Sequence, residues 1–166
     1  MLKKGGIYPA VIEGYASGGE GVARIDGMAG LVKGALRGER VEVCLEHIGH
    51  NAAWGHIEKL VEPSPARVEP DCPYYGTCGG CQFRHMTYAE ELEFKRQKVE
   101  DCLTRIGGCS TPVSVIYGSK NTDRYRNKVQ FPIVKTSIGF YAARTHDLTD
   151  VEDCLVLVSS NFSTQT

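Results

Sequence analysis

Short apolar runs separated by glycine-rich turns fill the first part of the chain. IYPAVIEGY, GVARI and AGLVKGAL are followed by ERVEVCLEHI and WGHIEKLVE. In the fourth run Val41, Val43 and Leu45 alternate with polar neighbours, and this period of two is typical of a strand with one buried face. Five short strands within residues 1–62 predict an all-β, OB-like closed barrel.

A proline-rich stretch separates the predicted barrel from the rest of the chain. EPSPARVEPDCP, residues 62–73, contains four prolines. Proline and the residue before it both disfavour helix. We therefore expect an extended linker at 63–71 and a second domain over 72–166.

The second domain is predicted to be α+β. TYAEELEFKRQKVEDCLTRIGG has the pattern of one helix, with Thr87 and Glu90 as a capping box and a glycine pair as its end. Its apolar residues are expected near one face; they are Leu92, Val99, Leu103 and Ile106. The later runs PVSVIYGS, KVQFPIV, SIGFYAA and VEDCLVLV are typical of strands.

Composition and charge narrow the function classes only slightly. The 166 residues are 42% apolar, enough for a core, and the formal net charge of −1 gives no global signature of a nucleic-acid binder. The N-terminus has no apolar run of signal-peptide length, and no segment approaches the ~20 apolar residues of a membrane span. We therefore expect a cytoplasmic protein with no membrane partner, of open oligomeric state.

The seven cysteines are an unusual feature of this chain. A disulfide framework is disfavoured, because the number is odd and cytosolic thiols are kept reduced. Cys72, Cys78 and Cys81 lie close together in CPYYGTCGGCQFRH, where three glycines allow the tight turns that a metal-binding loop needs. The cluster therefore indicates metal ligands or reactive thiols.

Three thiols do not complete a metal site, and the spacing leaves several completions open. With His85 they could form a Cys₃His zinc site. With a distant cysteine they approach the C-x₄-C-x₂-C…C pattern of plant-type iron–sulfur proteins, and the candidates for that ligand are Cys102, Cys109 and Cys154. A redox pair of Cys78 and Cys81 fits less well, because of the third cysteine.

A basic segment at 120–135 is the second candidate for function. It carries five basic residues against one acid, with Tyr125 and Phe131 among them. Basic groups contact phosphates, and aromatic rings stack on unpaired bases. We predict RNA contacts here and near two loops of the barrel, with Arg126 and Lys128 on one face of a strand. The full set is Arg124, Tyr125, Arg126, Lys128, Arg24 and Lys33.

The residues around the cysteines resemble a known enzyme family. SPARVEPDCPYYGTCGGCQFRHMTYAEELEFKRQKVEDCLTRIGG is similar to the cluster segment of the S-adenosylmethionine-dependent RNA uracil-5-methyltransferases. GYASGGEGVARIDGMAGLVKGALRGERVEV is similar to the RNA-binding TRAM barrel of that family. YRNKVQFPI and IGFYAARTHDLTDVEDC resemble the segments that follow the cluster, so the resemblance covers nearly the whole chain.

This resemblance implies a [4Fe–4S] cluster and an RNA substrate, ribosomal because cluster and TRAM barrel occur together there. The implied ligands are Cys72, Cys78, Cys81 and Cys154, which leaves His85 outside the ligand set. The implied reaction is attack of a cysteine thiolate on C6 of uracil and methyl transfer to C5 from S-adenosylmethionine. We expect a structural cluster, because that reaction needs no electron.

The catalytic features of the family are not found in these residues. No glycine-rich strand-to-helix fingerprint occurs before Thr166, and no cysteine is left in the family's catalytic context. We therefore expect the N-terminal part of such an enzyme, without methyltransferase activity of its own. The alternatives are a stand-alone RNA-binding module with a structural metal site and an electron-transfer iron–sulfur protein.

Overall fold

The computed structural model describes residues 1–159, and the chain divides into two compact units. The first unit comprises residues 1–69 and 85–116. Of the described residues, the second comprises 70–84 and 117–159. Within the described residues, no helix is both long enough and apolar enough to cross a membrane.

The first unit contains a closed five-stranded barrel. Its strands are β1 (Ile7–Tyr15), β2 (Gly21–Ile25), β3 (Met28–Lys33), β4 (Arg40–Ile48) and β5 (Ala52–Glu62), in the order β1-β2-β3-β5-β4. Pairing of β1 with β4 closes the barrel, and all neighbours are antiparallel except β3 and β5. The predicted five-stranded β-barrel is confirmed.

The alternation read from the sequence sets the barrel core. Val41, Val43 and Leu45 of β4 are at most 1% exposed and belong to one apolar cluster in the barrel. The turn between β2 and β3 has Asp26 at φ 47° and Gly27 at φ 81°. Two successive left-handed residues fit a two-residue hairpin, because such turns match the right-handed twist of the strands.

A buried ion pair fixes the predicted linker to the barrel. The fully buried Glu39 accepts hydrogen bonds from Nε of Arg67 and, at 2.8 Å, from its Nη2. The backbone N–H groups of Leu36 and Ser64 donate to the same carboxylate. Burial alone would raise the pKa of Glu39, but these hydrogen bonds outweigh it and lower the pKa below its usual value. Residues 63–69 are therefore a folded part of the first unit.

The single helix of the described chain, α1 (Tyr88–Arg105), also belongs to the first unit. The side chain of Thr87 accepts a hydrogen bond from the N–H of Glu90, as the capping box predicts. The carboxylate of Glu90 has other partners, since it accepts the hydroxyl of Tyr15 at 2.7 Å and pairs with Arg37 at 3.1 Å. The division into units thus differs from the predicted boundaries over 63–69 and 85–116.

The apolar residues predicted to share one face of α1 do not form its buried face. Phe94 is the buried residue of the helix, and its ring packs edge-on against Tyr15 with centroids 5.4 Å apart. Val99, Leu103 and Ile106 are exposed. Leu92, the fourth residue of the predicted stripe, is half-buried. At 100° per residue Phe94 lies on the opposite side of the helix from this stripe, and that side packs against Tyr15 of the barrel.

The second unit is built on a small antiparallel sheet. Its strands are β6 (Ile133–Val134), β7 (Ser137–Tyr141) and β8 (Leu148–Asp150). The predicted strand SIGFYAA corresponds to β7, and KVQFPIV is reduced to the two residues of β6. PVSVIYGS and VEDCLVLV form no strand, because the first lies exposed and the second folds into a turn closed by a hydrogen bond from Leu157 to Cys154.

Candidate metal centre

One cavity in the second unit is lined by the four cysteines that the resemblance selects. Cys72, Cys78 and Cys81 reach it from the loop at 70–84, and Cys154 reaches it from the turn after β8. Aromatic and aliphatic side chains form much of the remaining wall; they are Tyr74, Tyr75, Phe140, Val151 and Val156. The fold thus brings together thiols that lie far apart along the chain.

Glycines shape the cysteine loop. Gly76 has φ 89°, a left-handed conformation that favours glycine. Gly79 donates its N–H to the carbonyl of Tyr141 at 3.0 Å, and a Cβ at Gly79 would lie only 2.8 Å from that oxygen. The N–H of Gly80 donates to Sγ of Cys78 at 3.4 Å. The loop therefore needs glycine at 79 to lie against β7.

An ion triad holds the two ends of the loop. Arg84 donates to both carboxylate oxygens of Asp71, at 2.7 and 3.0 Å, and to Asp123 at 2.9 Å. The Arg84 guanidinium lowers the pKa of Asp71. Bidentate arginine–carboxylate pairs fix orientation as well as distance. The loop that carries the three cysteines is consequently closed by the Asp71–Arg84 pair at its two ends.

Two further residues, Arg124 and Tyr74, position Cys154. Arg124 donates to Asp153 at 2.6 Å and to the carbonyl of Cys154 at 3.3 Å. The hydroxyl of Tyr74, in the cysteine loop, accepts the N–H of Glu152 at 3.2 Å. The turn that carries Cys154 is therefore tied both to the loop and to the segment at 124.

The thiols of the cavity raise one another's pKa values. Burial raises the pKa of Cys78, and the nearby sulfurs of Cys154 and Cys72 raise it further, whereas the Gly80 N–H lowers it. Burial also raises the pKa of Cys81, against a lowering by Arg84. Four thiolates in this space repel one another, so a cation would be needed to hold them together.

The other sulfur and imidazole candidates lie in the first unit. Cys102 is exposed on α1, Cys109 follows that helix, and Cys44 lies on β4. His85 is 5% exposed and does not line the cavity; burial, and then Arg67, lower its pKa to about 4. Among the three distant cysteines left open by spacing, only Cys154 lines the cavity.

The predicted RNA contacts at 124–128 lie on a segment whose only β pairing within the described residues is an isolated bridge between Arg126 and Leu157. Tyr125, Arg126 and Lys128 are exposed, but the segment is irregular and not a strand. The backbone N–H of Arg126 donates a hydrogen bond to the carbonyl of Val156, and Arg126 also lines the cysteine cavity. The Arg124 guanidinium is engaged by Asp153, so its main role in the structure is to position the Cys154 turn.

On the barrel, Arg24 and Lys33 lie exposed on β2 and β3. Sequence reasoning missed Trp54, which is 38% exposed on β5 and lies opposite Leu31 of β3. The His47 ring lies 5.3 Å from the indole. The sequence itself marks Trp54, because it is the single tryptophan of the chain and occupies an outward position of the alternating run.

Comparison with known proteins gives relatives of one kind. No protein-family model matches the chain. It is 45% identical to a Clostridium tetani protein named "Uncharacterized RNA methyltransferase", over 93% of this chain and 35% of that protein. A Caldanaerobacter subterraneus protein of the same description is 43% identical with the same coverage, and a Bacillus cereus protein is 38% identical over 96% of this chain and 36% of its own length. The chain thus spans about a third of the length of the curated relatives it matches.

A solved structure extends this similarity to three dimensions. The crystal structure of Pyrococcus abyssi tRNA (uracil-54, C5)-methyltransferase in complex with S-adenosyl-L-homocysteine matches with a TM-score of 0.62 and 28% identity. The match covers 93% of this chain and 34% of that one. The comparisons agree with the resemblance read from the sequence at the level of RNA methyltransferases.

Proposed function

We propose that this chain forms the RNA-contacting and iron–sulfur-holding part of an S-adenosylmethionine-dependent RNA uracil-C5-methyltransferase, with a TRAM-type barrel. The observation that carries the proposal is the convergence of four cysteines on one cavity in a chain similar to RNA methyltransferases. The solved relative acts on a uracil C5 position and binds S-adenosylhomocysteine, the demethylated form of the methyl donor.

The residues of the cavity fit a [4Fe–4S] cluster. The donor set consists of four thiols, which are the usual ligands of such clusters. A backbone N–H on Cys78 Sγ and the apolar wall supply the hydrogen bonding and shielding that tune clusters. Cys72, Cys78, Cys81 and Cys154 would be the ligands. When bound, the cluster supplies covalent links between the cysteine loop and the Cys154 turn.

The geometry favours this cluster over a single zinc ion. A tetrahedral zinc would hold thiolate sulfurs roughly 3.8 Å apart, from Zn–S bonds of about 2.3 Å. In the described part of the chain, the one group of three possible ligand atoms within 4.8 Å of each other contains none of these four cysteines. Thiols that are farther apart than this would suit a multi-iron cluster, which Cys72, Cys78, Cys81 and Cys154 would hold.

Metal analysis with matched cysteine variants tests the ligand set. We expect anaerobically purified chain to contain iron and acid-labile sulfide with broad visible absorbance. Cys154→Ser should lose the iron, whereas Cys109→Ser, a half-buried thiol of the first unit, should retain it. A colourless wild-type protein with one bound zinc, or a Cys154→Ser variant with full iron content, would contradict the ligand assignment.

We place the RNA contacts of the second unit at Tyr125, Arg126 and Lys128, which are exposed in a basic segment. Phosphate contacts make affinity salt-dependent, by roughly one unit of logarithmic slope for each contact. Arg126→Ala with Lys128→Ala should therefore weaken RNA binding and reduce the salt slope by roughly 2. Lys98→Ala, an exposed lysine on α1, is the matched control and should leave both unchanged. An unaltered slope in the double variant would exclude this surface.

We propose ribosomal RNA as the substrate class. Binding of the chain to transcripts of ribosomal and transfer RNA, compared at one salt concentration, tests this choice. Tighter binding to ribosomal fragments supports it, and preference for transfer RNA would assign the chain to the substrate named for its solved relative. We expect no methylation of either RNA by these 166 residues with S-adenosylmethionine alone, and transfer of labelled methyl groups would overturn that expectation.

A further inference from the structure

The outer face of the barrel carries a second group of metal-ligand side chains, on β4 and β5. Cys44 and His56 are direct cross-strand partners. The residues beside them along the strands, Val43, Leu45 and Gly55, are buried. Because strand side chains alternate between faces, Cys44 and His56 share the outward face.

Two glutamates flank this pair at irregular positions of the ladder. A shift in register between Leu45 and His47 leaves Glu46 as an extra residue of β4. A shift in the other strand leaves Glu58 as an extra residue of β5. Bulges of this kind re-aim a side chain. Both carboxylates reach His56, with Glu46 Oε1 2.8 Å from Nδ1 and Glu58 Oε2 3.7 Å from Nε2.

The three side chains Cys44, His56 and Glu58 have their ligand atoms within 4.8 Å of one another. Around a tetrahedral zinc such atoms lie roughly 3.3–3.6 Å apart, from bonds of about 2.0–2.3 Å. The His56 and Glu58 side chains are 43% and 48% exposed, so packing leaves the Glu58 carboxylate room to move toward this geometry. A histidine that binds a metal usually donates its second ring N–H to a carboxylate. Glu46 is already placed on Nδ1, which leaves Nε2 for the metal.

We propose that Cys44, His56 and Glu58 bind a divalent zinc-like cation on the barrel surface, with Glu46 as the positioning residue for the imidazole. Thiolate, imidazole and carboxylate are the ligand types of zinc, and three protein ligands leave the fourth position to water. Binding releases the thiol proton of Cys44 to solvent, so no redox step is involved. This site lies in the first unit and is independent of the cysteine cavity of the second unit.

Zinc titration of the isotopically labelled chain, followed by NMR, tests the site residue by residue. The amides of Cys44, His56 and Glu58 should shift together along one saturating binding curve, and the His56 Nε2 resonance should move as for a metal-bound nitrogen. Zinc taken up by the cysteine cavity gives separate shifts, in residues 70–84 and beyond 117. The two uptake events are thus distinguished in one experiment.

Matched variants decide between coordination and surface adsorption. Cys44→Ser and His56→Gln should each weaken zinc binding at the barrel by about tenfold or more, and Glu46→Gln by about tenfold through loss of orientation. His50→Gln is the control, since His50 is an exposed histidine beside Asn51, and it should change nothing. Retained dispersion of the barrel amides shows that each variant is folded. Shifts that never saturate, or that persist unchanged in Cys44→Ser and His56→Gln, would overturn the proposal.

Discussion

Removal of Arg67 should destabilise the first unit far more than its partly exposed position suggests. Arg67→Ala leaves the fully buried carboxylate of Glu39 with only two backbone N–H donors. Breaking a buried ion pair from one side costs about 3–5 kcal/mol, because an uncompensated charge remains inside. Adding Glu39→Gln should recover about 1–2 kcal/mol of that loss, since a buried amide costs less than a buried charge.

Urea unfolding followed by Trp54 fluorescence measures this effect, because the single tryptophan lies on β5 of the barrel. With an m value of about 2 kcal/mol/M, a loss of about 3 kcal/mol lowers the midpoint by roughly 1.5 M. Arg40→Ala is the control, since its pair with Glu62 is long, at 4.0 Å, and exposed on both sides; it should change stability by less than about 0.5 kcal/mol. A loss below about 1 kcal/mol in Arg67→Ala, or no recovery with Glu39→Gln, would refute the reasoning.

The same ion pair gives a pH dependence with a definite sign. The pKa of Glu39 is lowered in the folded chain, so the stabilisation is fully present above the ordinary carboxyl range. It is lost as the pH falls from the ordinary carboxyl pKa through the lowered one, because over that interval the unfolded state binds a proton that the folded state does not. In Glu39→Gln the loss of stability at low pH, measured by urea unfolding, should be smaller.

Three further perturbations have expected outcomes. Burial lowers the pKa of His85 to about 4, so the unfolded state binds a proton at a higher pH than the folded state does. The free energy of unfolding should therefore fall by about 2 kcal/mol between pH 7.5 and pH 5. In His85→Gln, this pH dependence of the urea midpoint should be absent. Gly79→Ala should lower the iron content, because its Cβ would meet a carbonyl of β7 at 2.8 Å, whereas Gly14→Ala in β1, where nothing lies within 4 Å of the added Cβ, should retain iron. Phe94→Ala should cost about 3–4 kcal/mol, and the exposed Val99→Ala close to nothing, by thermal or urea unfolding.

The barrel was predictable because its signals are local. Alternation at Val41, Val43 and Leu45 fixes which face is buried, and the glycine-containing turns fix where each strand ends. The helix was predictable in extent and in its Thr87 cap for the same reason. Its buried face was not, because the partner of Phe94 is Tyr15, a residue of β1 that no helical period can reveal.

The candidate metal centre was predictable only in part. The glycines and the three clustered thiols mark the loop, but spacing left three choices for the distant ligand. Cys154 reaches the cavity through a turn held by Arg124 and Tyr74, and these tertiary contacts have no period in the sequence. Arg124 itself shows the limit of reading charge as function, because its guanidinium is engaged by Asp153.

The parallel pairing of β3 with β5 also constrains the order in which the barrel assembles. The hairpin of β2 and β3 can form early, since its ends are adjacent in sequence. The edge of β3 stays open until β5 is synthesised, and β4, which intervenes in the chain, pairs on the far side of β5. Non-local closure of this kind slows folding, because the loop entropy is lost before the contacts form. The nascent chain therefore exposes the unpaired edge of β3 until residues 52–56 of β5 have left the ribosome, and an exposed strand edge favours aggregation during that interval.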